Sequence, residues 1–322
     1  MAAARLGAAL RRRLSLTSPS RQNYHNTRYS NSDTASTSSS KLASGARCHP
    51  PSVADRDAEC DHRLSALAAL VVEENDKVNL VSRQGGARSS TSTTSSSSEK
   101  LSFTAHVMER HVLDSLSLLP FIDALAAAEL RAKSSSSSSS RRGVVGGGGG
   151  LRVIDIGCGG GFPSLPLAIT RPQHSFVLVD ATKKKLRFVE RAVEHLGMEN
   201  VSVQCARAEA LGRNRREREG SDVAVCRALA PLPVLAELCL PLIRVGGVLF
   251  ALKGPRGERL ARELDDGQFA VHACGGGQMR VEDLPDGAGG EGRTLVVIDK
   301  LQHTPRQFPR EDGTPKKRPL IM

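Results

Sequence analysis

The chain has 322 residues and a formal net charge of +11, with 45 Lys and Arg against 34 Asp and Glu. The basic balance predicts a polyanionic partner, and no uninterrupted apolar run reaches the roughly 18 residues of a membrane span, so no membrane is expected. Seven cysteines form no Cys-x-x-Cys pair and no metal-ligand spacing with the nine histidines, which points to a reducing compartment and to no bound metal.

In chain order, the first 32 residues carry Arg5, Arg11, Arg12, Arg13, Arg21 and Arg28 and no acid, behind an Ala/Leu-rich start. That is transit-peptide composition, preferred over a basic nucleic-acid-binding arm. Residues 1–54 are read as a transit peptide and leader addressing a mitochondrion or a plastid, with the early arginines favouring the mitochondrion. Apolar periodicity at Leu64, Leu67, Ala68 and Val71, then at Val107, His111, Leu113, Leu116 and Leu119, predicts helices over 61–81 and 102–131. They form a small N-terminal helical subdomain, 55–133, with a Ser-rich insertion at 89–98. A Ser/Gly-rich linker follows at 134–150.

From Leu151 strands and helices alternate. Strands are predicted at 151–156, 175–180, 201–205, 222–226 and 247–252, and helices at 163–171, 183–197 and 231–243. Two more strands, 268–273 and 294–299, close the sheet antiparallel. Alternation at this spacing argues for a mostly parallel sheet over 151–300 with helices on both faces. Cys158, Cys205 and Cys226 fall in or beside strand patterns as small buried hydrophobes. The tail, 301–322, contains Pro305, Pro309, Pro315 and Pro319 and reads as an extended basic strip, not a helix. Its Lys316, Lys317 and Arg318 are candidate phosphate contacts, and Lys300, Arg306 and Arg310 are counted in the same patch.

The chemistry collects at strand ends. Asp155-Ile156-Gly157-Cys158-Gly159-Gly160-Gly161-Phe162 is a strand entering a glycine-rich turn and then a helix N-terminus, where a carboxylate is favoured. The dinucleotide fingerprint requires a small third residue, and Phe162 stands there instead. Asp-x-Gly-x-Gly-x-Gly resembles the first motif of S-adenosylmethionine-dependent methyltransferases. Asp180 ends the second strand at the reach expected of a ribose-binding carboxylate. After the third strand, Ala208 and Glu209 suit the adenine ring and its edge. After the fourth, Arg227 cannot act as a base, because a guanidinium stays protonated. No Asp/Asn-Pro-Pro-Tyr/Phe motif for amine methylation is present, and Cys226 follows Val225 where a pyrimidine-attacking cysteine typically follows proline. An acceptor that brings its own lone pair, such as guanine N7, fits best. Lys253 stands at the end of the fifth strand, as an RNA contact or a plain rim lysine.

Further segments carry a family resemblance: Asn75-Asp76-Lys77-Val78-Asn79-Leu80, Arg110-His111-Val112-Leu113-Asp114-Ser115, Gly161-Phe162-Pro163-Ser164-Leu165-Pro166-Leu167, Cys226-Arg227-Ala228, Leu252-Lys253-Gly254 and Gly313-Thr314-Pro315-Lys316. Together they resemble the bacterial 16S ribosomal RNA guanine-N7 methyltransferases, the glucose-inhibited division protein B family, from about Glu74 to Leu320. Two departures stand out: the family's tryptophan before Asn75 is missing, and Ser164 replaces a usual glycine. The resemblance implies a Rossmann-like S-adenosylmethionine-dependent methyltransferase fold, an α/β protein with a seven-stranded sheet. It implies cofactor contacts at Gly157, Phe162, Asp180, Ala181, Thr182, Ala208, Glu209 and Arg227, which join Asp155, Gly159 and Gly161 of the loop. His111 and Asp114 are implied near the site. Arg227 and Lys253 are expected to position cofactor or RNA. The implied partner is small-subunit ribosomal RNA or a ribosomal particle, met by a monomer. Two competing readings are a catalytically silent RNA-binding or ribosome-assembly protein on the same fold, and a nicotinamide-dependent oxidoreductase, which Phe162 disfavours.

Overall fold

The computed structural model describes residues 58–82, 97–135, 150–284 and 292–321. Residues 1–54, expected as a transit peptide and leader, and most of the two low-complexity segments lie outside them. The order is α1 (Ala58–Val78), α2 (Ser97–Val107), a π-helical turn (Met108–Leu113), α3 (Asp114–Leu116), α4 (Leu119–Ser135), β1 (Arg152–Ile156), α5 (Ser164–Thr170), β2 (Ser175–Asp180), α6 (Lys183–His195), β3 (Val201–Cys205), α7 (Ala208–Arg213) and β4 (Ser221–Arg227). There follow α8 (Leu232–Cys239), β5 (Ile243–Lys253), α9 (Glu258–Ala273), β6 (Gly276–Leu284), β7 (Arg293–Lys300) and α10 (Thr314–Lys317).

The seven strands form one sheet in the order β3-β2-β1-β4-β5-β7-β6. The first five are parallel and β7 is antiparallel to both of its neighbours. The chain winds outward from β1 to β3 and then restarts at β4 on the other side of β1. That reversal opens a crevice at the carboxyl ends of β1 and β4, where ligands bind in open α/β sheets. Val153, Ile154, Ile156, Val223, Ala224 and Val225 of these two strands are buried, as expected for strands covered on both faces.

Three expectations are corrected. Residues 268–273 are the end of α9, not a strand, because Leu260, Gly267, Ala270 and Val271 bury one helical face; the edge strand is β6. Cys205 is exposed, because β3 is the sheet's other edge. The helical stretch Lys100–Ala132 is long and apolar enough to cross a membrane by length and composition. Its Val107, Met108, Val112, Leu116, Leu118, Leu119 and Ile122 are buried within the protein, as in a core helix.

The third correction concerns the tail, which folds onto the domain and contains a helical turn, α10, with Pro315 in its first turn. Two cations counted in its basic patch are internal. Lys300 is fully buried and donates to Leu240 O and Cys274 O, each at 2.9 Å, and to Thr304 Oγ1; burial lowers its pKa to about 8. Arg310 grips the fully buried Glu237 through Nε and Nη2, at 2.9 and 2.7 Å.

The helical layer is part of the same compact unit, Asp57–Met322, as the sheet. Buried Arg171, after α5, makes a bidentate pair with Asp123 of α4 at 2.7 and 2.6 Å. Arg63 of α1 donates to Leu196 O at 2.7 Å. The Asn75–Leu80 motif ends α1: Asn75 Oδ1 accepts from Val81 N at 2.8 Å, and Asn79 takes a left-handed conformation, φ 52°. This turn carries Leu80 against the glycine loop, where a Cβ on Gly160 would lie 3.1 Å from Leu80 Cβ.

Candidate active site

Gly157, Gly159 and Gly161 have φ of 74°, 55° and 89°, the left-handed region that glycine enters without a Cβ penalty. At Gly157 there is also no room, since a Cβ would come within 2.5 Å of Leu229 Cδ1. The loop is tied to the second strand. Gly157 N and Cys158 N donate to Val179 O at 2.8 and 3.0 Å, and Gly159 N donates to Asp180 Oδ2 at 3.0 Å. Thr182 N donates to Asp180 Oδ1 at 2.8 Å. Asp180 is thereby oriented by two backbone amides, and each oxygen keeps acceptor capacity for a diol.

Asp155 is 1% exposed; among the described residues neither carboxylate oxygen has a partner at full hydrogen-bond geometry, although Ser164 lies close enough to favour the charged form. Burial raises its pKa to about 7, against the opposing pull of Ser164 and Arg227. An uncompensated buried carboxylate is costly, and a ligand ammonium would relieve it. The side chains present fit S-adenosyl-L-methionine: Asp155 would meet its α-ammonium, Asp180 its ribose and Ala208 its adenine.

That fit carries a pH prediction. A carboxyl with a raised folded pKa contributes stability that is present near pH 4 and lost as pH rises through about 7. Asp155→Asn removes the loss, so at pH 8 the ligand-free variant is expected to melt above the parent, by on the order of 3 kcal/mol. Titration with S-adenosylhomocysteine should show its affinity falling more than tenfold. In the parent, affinity should rise with pH through about 7; a flat profile with unaltered affinity in the variant would separate Asp155 from the ligand.

The other wall joins residues far apart in sequence. The π-helical turn brings His111 and Asp114 to the end of β4, where Arg227 Nη1 meets Asp114 Oδ2 at 3.0 Å and Nη2 lies 2.9 Å from His111 Nδ1. A guanidinium only donates, so Nδ1 accepts and the neutral ring carries its proton on Nε2. Burial, and next the charge of Arg227, lower the His111 pKa to about 3. Arg227 lies 5.4 Å from the Phe162 ring centroid, and the His111 ring stands 5.4 Å from the same ring. Arg293 Nε, from β7, lies 3.6 Å from Asp114 Oδ1 and was not foreseen from sequence.

Two candidates are engaged by partners within the protein. Glu209 is buried and its Oε1 accepts from Gly313 N at 2.9 Å, so it anchors the tail to the start of α7. Lys253 is 12% exposed at its side chain, paired with Glu263 and donating to Ala230 O at 2.9 Å, and does not project as a rim cation. By contrast Lys316, Lys317 and Arg318 are exposed. Ala181 and Thr182 are exposed beside Asp180. Cys226 is buried in the core.

Residues 144–287 match the profile of the family described as GidB, rRNA small subunit methyltransferase G. A Lactobacillus acidophilus protein named ribosomal RNA small subunit methyltransferase G is 42% identical over 171 residues, which is 53% of this chain and 70% of that protein. A Deinococcus radiodurans protein of the same name is 45% identical over 170 residues, 53% of this chain and 66% of the relative. Among solved structures, M. jannaschii TYW2 in complex with AdoMet aligns with a TM-score of 0.37 and 14% identity, over 47% of this chain and 70% of that one. With most of a bacterial relative's length matched at such identity, and with the glycine loop, Asp180 and Arg227 placed around one crevice, the chain belongs to the rRNA small subunit methyltransferase G family.

Proposed function

We propose that this chain methylates N7 of a guanine in a 16S-type small-subunit ribosomal RNA. Bound S-adenosyl-L-methionine supplies an electrophilic methyl group on its sulfonium. One observation carries the reading: the Arg227–His111–Asp114 network provides no free base at the end of β4. Arg227 stays protonated, and the His111 Nδ1 lone pair is taken by that same guanidinium. Asp114 is likewise held by Arg227 and Arg293, so the network suits an acceptor that arrives with its own lone pair, as guanine N7 does. That lone pair forms the new N–C bond as the carbon–sulfur bond breaks, and no proton needs removal. The side chains contribute orientation and electrostatics. Mapping N7-methylguanine in small-subunit ribosomal RNA by chemical cleavage, with and without the protein, tests this; a methyl found on an exocyclic amine or on carbon would overturn it.

RNA contact is supported by cations that have no carboxylate partner among the described residues. Lys183 and Lys184 begin α6, Arg207 precedes α7, and Lys316, Lys317 and Arg318 end the docked tail. Ala206 N donates to Asp180 O at 3.2 Å, and the Glu209–Gly313 bond joins α7 to the tail. All three groups therefore follow the carboxyl ends of β2 and β3. Neutralising Lys316, Lys317 and Arg318 to Gln is expected to weaken RNA binding and reduce the slope of log K against log salt by about 2 to 3. An unchanged slope would remove the tail from the interface.

The compartment we propose is an organelle, supported by the arginine-rich, acid-free first 32 residues. A fluorescent protein carrying residues 1–54 should enter mitochondria; diffuse cytosolic signal would refute it.

A further inference from the structure

We infer that Lys253 and Glu263 are positioning residues that fix the wall of the crevice, and that neither contacts RNA; this rests on the methyltransferase reading of the site. The wall is the short loop from Ala228 to Pro231, between β4 and α8. At its start Arg227 is held by Asp114 and His111. In its middle the Ala230 carbonyl accepts from Lys253 Nζ at 2.9 Å. At its end the amide of Leu232, the first residue of α8, donates to Glu263 Oε1 at 2.9 Å, and the same oxygen pairs with Lys253. Glu263 thus caps α8 from α9, since none of that helix's own side chains caps it.

The loop needs such holding. Ala228 has φ 52°, a left-handed conformation that an L side chain adopts only when its surroundings impose it. The next residue, Leu229, fills the space a Cβ on Gly157 would occupy, so it seals directly on the first loop glycine. A loop released at Ala230 or Leu232 would let Leu229 leave Gly157 and let Arg227 shift relative to Phe162. With two of its three ammonium donors engaged and its side chain 12% exposed, Lys253 has little reach toward a phosphate.

The experiment uses the full chain with Lys253→Met, Lys253→Arg, Glu263→Gln and the Met/Gln double variant. Lys253→Met is expected to lower kcat about 10- to 100-fold, with the KM for RNA and the salt slope of RNA binding unchanged. Lys253→Arg, which can still reach both acceptors, should recover most of the rate. The double variant should lose no more than Lys253→Met, because the two residues act as one unit. Hydrogen exchange should report a faster Leu232 amide in Lys253→Met. That readout, with S-adenosylhomocysteine affinity, stands even if the RNA target proves different. A salt slope reduced by about 1 with kcat intact would make Lys253 a phosphate contact and overturn the inference. So would unchanged amide exchange throughout the loop. If Lys253→Met does not fold, Glu263→Gln and Lys253→Arg carry the same comparisons.

Discussion

Arg227→Met is expected to be nearly inactive, with kcat reduced at least about 100-fold and the fold destabilised by about 3 to 5 kcal/mol. The guanidinium joins the helical layer to the end of β4 and lies over the Phe162 ring. Removing it leaves Asp114, a buried carboxylate, with Arg293 at 3.6 Å as its remaining cationic partner among the described residues. It also frees the His111 Nδ1 lone pair and removes one of the charges that hold the imidazole neutral, so the His111 pKa should rise from about 3. Arg227→Lys should rescue poorly, because a single ammonium cannot present a planar fork to Asp114 and His111 together. Steady-state kinetics, thermal melting and an NMR titration of His111 provide the checks. A variant with intact kcat would make Arg227 a structural tie alone, and an unmoved His111 titration would contradict the bond assigned to Nδ1.

Arg310→Met is expected to lower stability by about 3 to 5 kcal/mol, about 10 °C in Tm for a domain of this size. The cause lies in the partner. Glu237 is fully buried inside α8, and the bidentate Arg310 guanidinium is its counter-ion. Replacing Arg310 strands that charge, and the Arg310 backbone amide at 2.8 Å offsets only part of the loss. The double variant Glu237→Leu/Arg310→Met should recover most of the stability, since an apolar pair of similar volume removes the charge along with its partner. Denaturant melts of the three variants form a double-mutant cycle. If the single and double variants melt together, loss of packing accounts for the effect. Tail release should also free the Gly313 amide from Glu209 and weaken RNA binding through Lys316, Lys317 and Arg318.

The glycine loop and the strand before it were legible because their signals are local. Val153, Ile154 and Ile156 are consecutive enough to mark a buried strand, and three alternating glycines are needed where φ is positive. Asp180 was legible because a carboxylate at the end of the second strand has one place to point in a parallel sheet. Residues 268–273 were misread because Phe, Val and His in a short run satisfy strand composition, while the helical face of α9 needs Leu260 and Gly267, farther back, to be seen.

By itself, then, the sequence determined the alternation of strands and helices, the parallel sheet, the glycine loop with its two acids, and the basic residues that end the chain. Each depends on spacing within about twenty residues, the range over which periodicity and turn chemistry act. Only the tertiary structure decided what each charge is for. Arg227 finds partners 113 and 116 residues away, and Arg310 is spent on Glu237 73 residues away. Lys253 is spent on Glu263, and Lys300 is drawn into the core. A charged side chain has the same spacing whether it is solvated, paired or buried. Desolvation and partner geometry separate those fates, and both arise only when distant segments pack.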